Sequence, residues 1–381
     1  MALKSAKKKI AKTKASKKRT SSASSSSPKS QSQKTSPKPS TRANVPKPKD
    51  DVALIDELNA TYNKLKAELA KKIIGQEEVI EKLLICILAK GHGLLMGVPG
   101  LAKTTIVNTL AQAMDLEFKR IQFTPDLMPS DITGTDILQD SPDDPGRREF
   151  HFVKGPIFAN IVLADEINRT PPKTQSALLE AMAEHRVTVA GRHFNLPDPF
   201  FVLATQNPIE QEGTYSLPEA QLDRFMFLIN VAYPTPEEER RIAKETTGGS
   251  TEKVNSVIHA EDIFKYQGVV ERVPVPDHIY EAAVEIVRRS RPRTDEAPDW
   301  VKKWVGWGAG PRAVQYLIRG AKAKAVLSGS YLVRLEDLQA VAEPVLEHRI
   351  LTNFQAQAEG VTSGTIIERL TNELNDEAVS A

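Results

Sequence analysis

The chain reads as an α/β protein: a parallel sheet core with helices on both faces, followed by an all-helical domain and preceded by a disordered basic tail. Three observations predict this. Between residues 51 and 233, short and wholly apolar runs alternate with segments of helical period, as expected of strands covered on both faces. Beyond residue 261 only helical periodicity remains. Before residue 51 the composition turns to Lys, Ser, Ala, Thr and Pro, which offers too little apolar surface to offset the entropy of ordering a backbone.

The elements follow in order. Val52–Lys72 carries Leu54, Leu58, Tyr62, Leu65 and Leu69 at helical spacing and predicts an amphipathic helix. Gly93–Met96 predicts a strand and Thr105–Met114 a helix, with Ile106, Val107, Leu110 and Met114 on one side. Phe118–Thr124, Asn160–Asp165, Phe200–Asn207 and Met226–Tyr233 predict further strands. Arg186–Leu196 predicts a hairpin turning at Gly191-Arg192. Pro234-Thr235-Pro236 opens a Glu/Arg-rich helix, and Thr246–Ser250 reads as a flexible break. Helices are expected at Asp277–Arg289, Pro311–Leu327 and Leu335–Ile350. The domains expected are a tail over 1–50, a core over 51–233, a linker over 234–260 and a helical domain over 261–381.

Charge divides along the same line. Residues 1–50 hold 15 of the 51 Lys and Arg but one of the 49 acids, a net charge of +14; the remainder carries −12. An acidic globular body therefore bears a basic tail. No run of 18 apolar residues occurs, so no transmembrane helix is expected, and the basic N-terminus lacks the apolar stretch of a secretory signal. The single cysteine, Cys86, lies in an apolar helical stretch and fits a buried thiol in a reducing cytoplasm. The seven histidines are scattered with no His-Glu-x-x-His pattern, and no protease, nuclease or metal-ligand constellation is visible.

Two motifs carry chemistry. Gly97-Val98-Pro99-Gly100-Leu101-Ala102-Lys103-Thr104 stands between a strand and a helix, the context in which a phosphate-binding loop works. Its backbone N–H groups and the helix N-terminus would face a β-phosphate, Lys103 would neutralise β/γ oxygens, and Thr104 would ligate Mg²⁺. The pattern normally has glycine where Ala102 stands, a small change provided that position does not need positive φ. The second motif is an apolar strand, Ile161-Val162-Leu163-Ala164, ending in Asp165 and Glu166. At the C-terminal end of a buried parallel strand, Asp165 would hold Mg²⁺ through water and Glu166 would orient and deprotonate the attacking water. Read singly, the first motif favours phosphate binding over a Gly/Pro turn with a solvated lysine by roughly three to one, and the second is commonly just a charged strand end; together they point to Mg-ATP hydrolysis.

The segment from Asp165-Glu166-Ile167-Asn168-Arg169-Thr170-Pro171-Pro172-Lys173 to Glu180-Ala181-Met182 resembles the signature of the MoxR family of AAA+ ATPases. Ile73-Ile74-Gly75-Gln76, Gln122-Phe123-Thr124-Pro125-Asp126-Leu127-Met128-Pro129-Ser130-Asp131, Ala204-Thr205-Gln206-Asn207-Pro208, Leu222-Asp223-Arg224-Phe225 and Gly310-Pro311-Arg312-Ala313 support it, in the family's order over roughly residues 70–365. The resemblance implies an AAA+ core with a helical lid and a nucleotide site formed by Ile74, Gly75, Gly97, Pro99, Gly100, Leu101, Ala102, Lys103, Thr104, Thr105, Asp165 and Arg312. Asn207 is implied as a polar sensor, Arg224 as an arginine finger reaching a neighbouring subunit, and Arg312 as a second sensor on the lid. Gln122 is read as a restraint on Glu166.

A finger acting between subunits implies a ring, expected to be a hexamer. The Arg186–Leu196 hairpin and the Pro129–Leu138 region resemble the family's two inserts, which would face the pore and grip clients. Such proteins resemble chaperones that remodel or activate a protein partner, often one with a von Willebrand factor A domain. The other reading is a DNA-associated motor tethered by its tail, since residues 1–50 would bind nucleic acid non-specifically through counterion release. The tail suits a solubilising or localising extension equally well, and attachment to an anionic membrane is a third, weaker reading.

Overall fold

The computed structural model describes residues 48–140, 148–207, 214–247 and 252–380, which belong to one compact unit. The basic tail, apart from its last three positions, lies outside them. Helix α1 (Pro48–Leu69) begins the described chain. It buries Ile55, Leu58, Tyr62, Leu65 and Leu69 at three- and four-residue spacing, the stripe of an amphipathic helix. Gly75 and Gln76 take φ of 69° and 63° and turn the chain into α2 (Glu77–Leu88), whose first-turn Glu77 and Glu78 suit the helix dipole. Cys86 is fully buried in α2, and desolvation pushes its thiol well above the usual range.

Strand β1 (Gly93–Met96) leads through the glycine-containing loop into α3 (Lys103–Ala113) and then β2 (Phe118–Gln122). A short helix, α4 (Pro129–Thr133), runs into a hairpin of β3 (Gly134–Asp140) and β4 (Arg148–Lys154). This hairpin is additional to the elements expected from sequence. Most of its side chains are exposed on both faces, so no two-residue alternation marks it. Next come β5 (Ile161–Asp165), α5 (Pro172–Glu184), the hairpin of β6 (Arg186–Val189) and β7 (Arg192–Asn195), β8 (Phe201–Gln206), α6 (Glu219–Leu222) and β9 (Phe227–Asn230).

The expected hairpin forms, but its turn is Ala190-Gly191, with Val189 paired to Arg192. Both turn residues have positive φ, 49° and 75°, as the two central positions of a type I′ turn require. This register sets Val187 opposite Phe194. A turn one residue later would shift the register and break that pair.

Five strands form one parallel sheet in the order β2-β5-β8-β1-β9. The register sets Gln122 opposite Asp165 and Arg120 opposite Leu163. Because the strands are parallel, the ends of β1, β2, β5 and β8 meet at one edge, where ligands bind in open α/β sheets.

The chain continues with α7 (Pro236–Thr247), which stays helical through Thr246 and Thr247; residues 248–251 lie outside the described residues. Helices α8 (Ala260–Arg272), α9 (Asp277–Arg289), α10 (Asp299–Trp304), α11 (Pro311–Leu327), α12 (Leu335–Leu346), α13 (Phe354–Ala358) and α14 (Ser363–Ser380) complete it. The expectation of helices alone is corrected in one place: β10 (Val305–Trp307) and β11 (Leu351–Thr352) form an antiparallel ladder. Strands of three and two residues are too short to show an alternation. One apolar cluster runs from Leu69 and Leu83 through Phe227 and Ile229 to Leu317 and Val341. Each large aliphatic side chain fully buried there contributes about 1.5–3 kcal/mol. The sheet and the later helices thus share an apolar cluster, and the division into domains at 233 and 261 stands as a proposal.

Candidate functional site

The loop from Gly97 to Thr104 sits at the sheet edge where β1 ends. A Cβ at Gly97 would lie 2.9 Å from the carbonyl oxygen of Val231, so the close approach there admits little else. Gly100 has φ 90°, and Ala102, the residue before α3, has φ 53° and ψ 21°. The condition under which alanine is a small change is therefore not met: Ala102 is left-handed, at a cost of about 1–2 kcal/mol for a residue with a Cβ. No side chain caps α3, so its first N–H groups remain available to an anion.

Lys103 donates to the carbonyls of Gly97 and Val98, the latter at 2.9 Å. Partial burial lowers its ammonium below the usual lysine range, and the charges of Asp165 and Glu166 oppose that shift. Facing it, β5 delivers Asp165 and Glu166. The Thr205 hydroxyl donates to Asp165 Oδ1 at 2.6 Å and accepts from the Glu166 N–H at 2.8 Å. Glu166 has φ 57° and ψ 48°, a left-handed conformation of the kind that costs about 1–3 kcal/mol and collects at functional sites. Gln122 donates to Glu166 Oε2 at 2.7 Å, and Arg169 Nε lies 3.2 Å from the same oxygen. Arg120 donates to Asp165 Oδ2 from Nε at 2.9 Å and from Nη2 at 2.5 Å, and also to Gln122 Oε1.

Lys103, Arg120, Asp165, Glu166 and Thr205 line one cleft of about 350 Å³, with Gln122 and Arg169 bonded to Glu166 behind that lining. Of the residues singled out in the sequence, Pro99, Gly100, Leu101, Ala102, Lys103, Thr104, Asp165, Glu166 and Asn207 line it. Gly97 contributes the carbonyl that holds Lys103. Thr105 is exposed on α3, and Ile74 and Gly75 are buried beyond the lining. Arg224 donates to the Leu179 carbonyl and lines a separate cavity of about 260 Å³ with Ser176, Glu180, Glu184 and Gln221. Arg312 reaches Asp223 at 3.0 Å rather than the cleft.

Sequence reading gives no role to Arg120, nor to Thr205 and Gln206 within the motif that carries Asn207, yet all three line the cleft. Arg120 stands two residues before Gln122 and so shares its face of β2, a spacing legible once β2 is placed beside β5. It also passed over Arg349. This arginine is buried and donates to Asp223 Oδ1 at 2.8 Å and to the carbonyls of Asp223, Phe225, Met226 and Val345. Nothing local in the sequence marks it.

The donors fit a hard divalent cation. Thr104 supplies a hydroxyl and Asp165 a carboxylate in the same cleft, the oxygen-only set with one carboxylate that suits Mg²⁺ carried with a phosphate. Three cations, Lys103, Arg120 and Arg169, stand around two carboxylates, an excess of positive charge that favours a polyanion.

Comparison with known proteins agrees with this geometry. The model of the ATPase family associated with various cellular activities (AAA) matches residues 92–227, and the AAA lid domain model matches 300–370. The chain is 43% identical over 303 residues to "Chaperone MoxR1" of Mycobacterium tuberculosis, covering 80% of this chain and 79% of that protein. It is 42% identical over 320 residues to "Uncharacterized protein YeaC" of Bacillus subtilis, covering 84% and 96%. A crystal structure of a candidate ATPase from Cytophaga hutchinsonii superposes with a TM-score of 0.79 at 40% identity, covering 85% of this chain and 97% of that one. From the shared motifs, the sheet and lid architecture and these relatives, the chain belongs to the MoxR family of AAA+ ATPases.

Proposed function

We propose that the chain hydrolyses ATP with Mg²⁺ and, as a ring, uses the cycle to remodel or activate a partner protein. The observation that carries this reading is the convergence of Lys103, Thr104, Asp165, Glu166 and Asn207 on one cleft at the sheet edge, with Arg224 outside it. Lys103 leaves the Gly97 and Val98 carbonyls for the β/γ oxygens. Thr104 and Asp165 hold the cation, which when bound neutralises charge on the phosphoryl group being transferred. Glu166 takes the proton of the attacking water, and Asn207 orients that water. The Gln122 hydrogen bond holds Glu166 aside until the site is complete. Arg224, remote from its own cleft, serves the neighbouring subunit's γ-phosphate in a ring, expected to be a hexamer, and Arg312 moves from Asp223 to the nucleotide as the lid closes.

Two exposed hairpins suit contact with a client. Arg192 of β7 pairs with Asp136 of β3, and Phe152 of β4 stacks on Phe194 of β7 with ring centroids 4.0 Å apart. Leu138, Phe150 and Val153 are left exposed, Phe150 by 70%. A partner with a von Willebrand factor A domain is proposed from the family resemblance alone. Among the described residues no helix is long and apolar enough to cross a membrane; a cytoplasmic site of action is proposed on the single, buried Cys86, which suits a reducing compartment. The DNA-motor reading is not favoured by those relatives, and the tail that motivates it lies outside the described residues.

The test is a client trap. Tagged Glu166→Gln protein, loaded with ATP, should retain a protein partner that the Lys103→Ala protein does not. Recovery of DNA that survives high salt, without a protein client, would refute the remodelling reading.

A further inference from the structure

Asp165 and Arg120 form the tightest charged contact in the cleft. Both hydrogen bonds that Arg120 gives Asp165 end on Oδ2, while Oδ1 already accepts from Thr205. The Asp165 side chain is 13% exposed and that of Arg120 47%. A cation, or the water it carries, that approaches Oδ2 therefore meets a guanidinium already seated there, a juxtaposition that like-charge repulsion disfavours. The arginine is the mobile partner: it is half exposed, its stem is flexible, and a solvent-accessible ion pair of this kind is weakly held.

We propose that Arg120 is the resting counter-ion of the metal-holding carboxylate and that metal entry displaces it from Asp165. This rests on the reading of the cleft as a Mg-nucleotide site and assigns a positioning residue to it. The geometry gives displacement a further consequence. Arg120 also donates to Gln122 Oε1, which turns the other end of that amide toward Glu166 Oε2. Withdrawing the guanidinium removes one of the two contacts that hold the Gln122 amide, so occupancy of the metal position is communicated to the water-activating carboxylate through two side chains.

The experiment measures Mn²⁺ binding to the full-length chain in the presence of ADP, by electron paramagnetic resonance, for the unaltered protein, Arg120→Gln and Arg120→Lys. ADP affinity in metal-free buffer and the melting temperature report whether each variant keeps its fold and site. With the counter-ion gone, Arg120→Gln should bind Mn²⁺ about two- to fivefold more tightly, since an accessible ion pair contributes up to ~1 kcal/mol. Arg120→Lys, which keeps the charge but not the two-pronged contact, should fall between. The Mg²⁺ concentration that half-saturates turnover should fall by the same factor in Arg120→Gln. Mn²⁺ affinity equal to or weaker than that of the unaltered protein, with ADP affinity retained, overturns the assignment of Arg120 alone. Failure of the unaltered chain to bind ADP and Mn²⁺ overturns the nucleotide-site reading and this inference with it.

Discussion

Replacing Asp223 by Asn should loosen the joint between the lid and the segment that carries Arg224. Asp223 accepts from two lid arginines, Arg349 at Oδ1 (2.8 Å) and Arg312 at Oδ2 (3.0 Å). The Arg349 side chain is 3% exposed, and burial lowers its guanidinium below the usual range while Asp223 opposes that shift. Removing one partner of a buried pair costs about 3–5 kcal/mol. Here Arg349 keeps the carbonyls of Asp223, Phe225, Met226 and Val345, and its guanidinium lies 5.1 Å from the Tyr316 ring centroid. Water also reaches Asp223, whose side chain is 29% exposed. Asp223→Asn should therefore cost about 2–3 kcal/mol, below that range because carbonyl partners remain. Arg312→Ala removes a pair whose arginine is 46% exposed and should cost about 0–1 kcal/mol. Urea unfolding at pH 7 and one fixed protein concentration measures both, with the slope unchanged. A cost below about 0.5 kcal/mol for Asp223→Asn, or an equal cost for Arg312→Ala, would refute the view that Arg349 holds this joint.

Three further outcomes follow. Ala102→Gly relieves a left-handed alanine, a gain of ~1–2 kcal/mol, against ~0.4–1 kcal/mol of added freedom in the unfolded chain; thermal unfolding should show a rise rather than a fall in stability. His92 is buried, accepts from the Val202 N–H and faces the Met182 carbonyl, and burial depresses its imidazole to about 4. Between that value and the ordinary one near 6.5 the unfolded chain binds the extra proton, so stability is full above about pH 6.5 and is lost as pH falls toward 4, by ~1.4 kcal/mol per unit. His348, also buried and depressed, adds in the same direction, and urea midpoints at pH 6.5, 5.5 and 4.5 that do not fall would contradict this. Arg224→Ala should bind nucleotide almost normally yet lose turnover, and mixing it with Glu166→Gln protein should restore part of the activity; demonstrably mixed rings with no recovery would count against a finger shared between subunits.

What the sequence revealed depended on how locally each feature is written. Strands β1, β5 and β8 are apolar along their length because both faces are covered, and they lie within one residue of where the apolar runs predict them. The Gly97–Thr104 loop and the Asp165-Glu166 pair were legible because their residue types and strand context are contiguous in the chain. The β3–β4 hairpin was hidden by exposure on both faces, and the β10–β11 ladder by its shortness. The turn of the second hairpin was misplaced by one residue because Ala190, not Arg192, takes the second positive φ. Contacts between distant segments were the least visible: Arg120 reaches Asp165 across 45 residues, and Arg349 reaches Asp223 across 126. No periodicity encodes such pairs, and only the strand order and the packing of the lid bring them together.

The measurement that tests the central claim most directly is Mg²⁺-dependent phosphate release from ATP by the purified chain, beside Glu166→Gln and Lys103→Ala, with ATP binding followed in parallel. The account predicts turnover by the unaltered protein, retained binding with turnover lowered about 10²–10⁴-fold in Glu166→Gln, and loss of nucleotide binding in Lys103→Ala. Undiminished turnover in Glu166→Gln, or binding without hydrolysis by the unaltered protein, would contradict it.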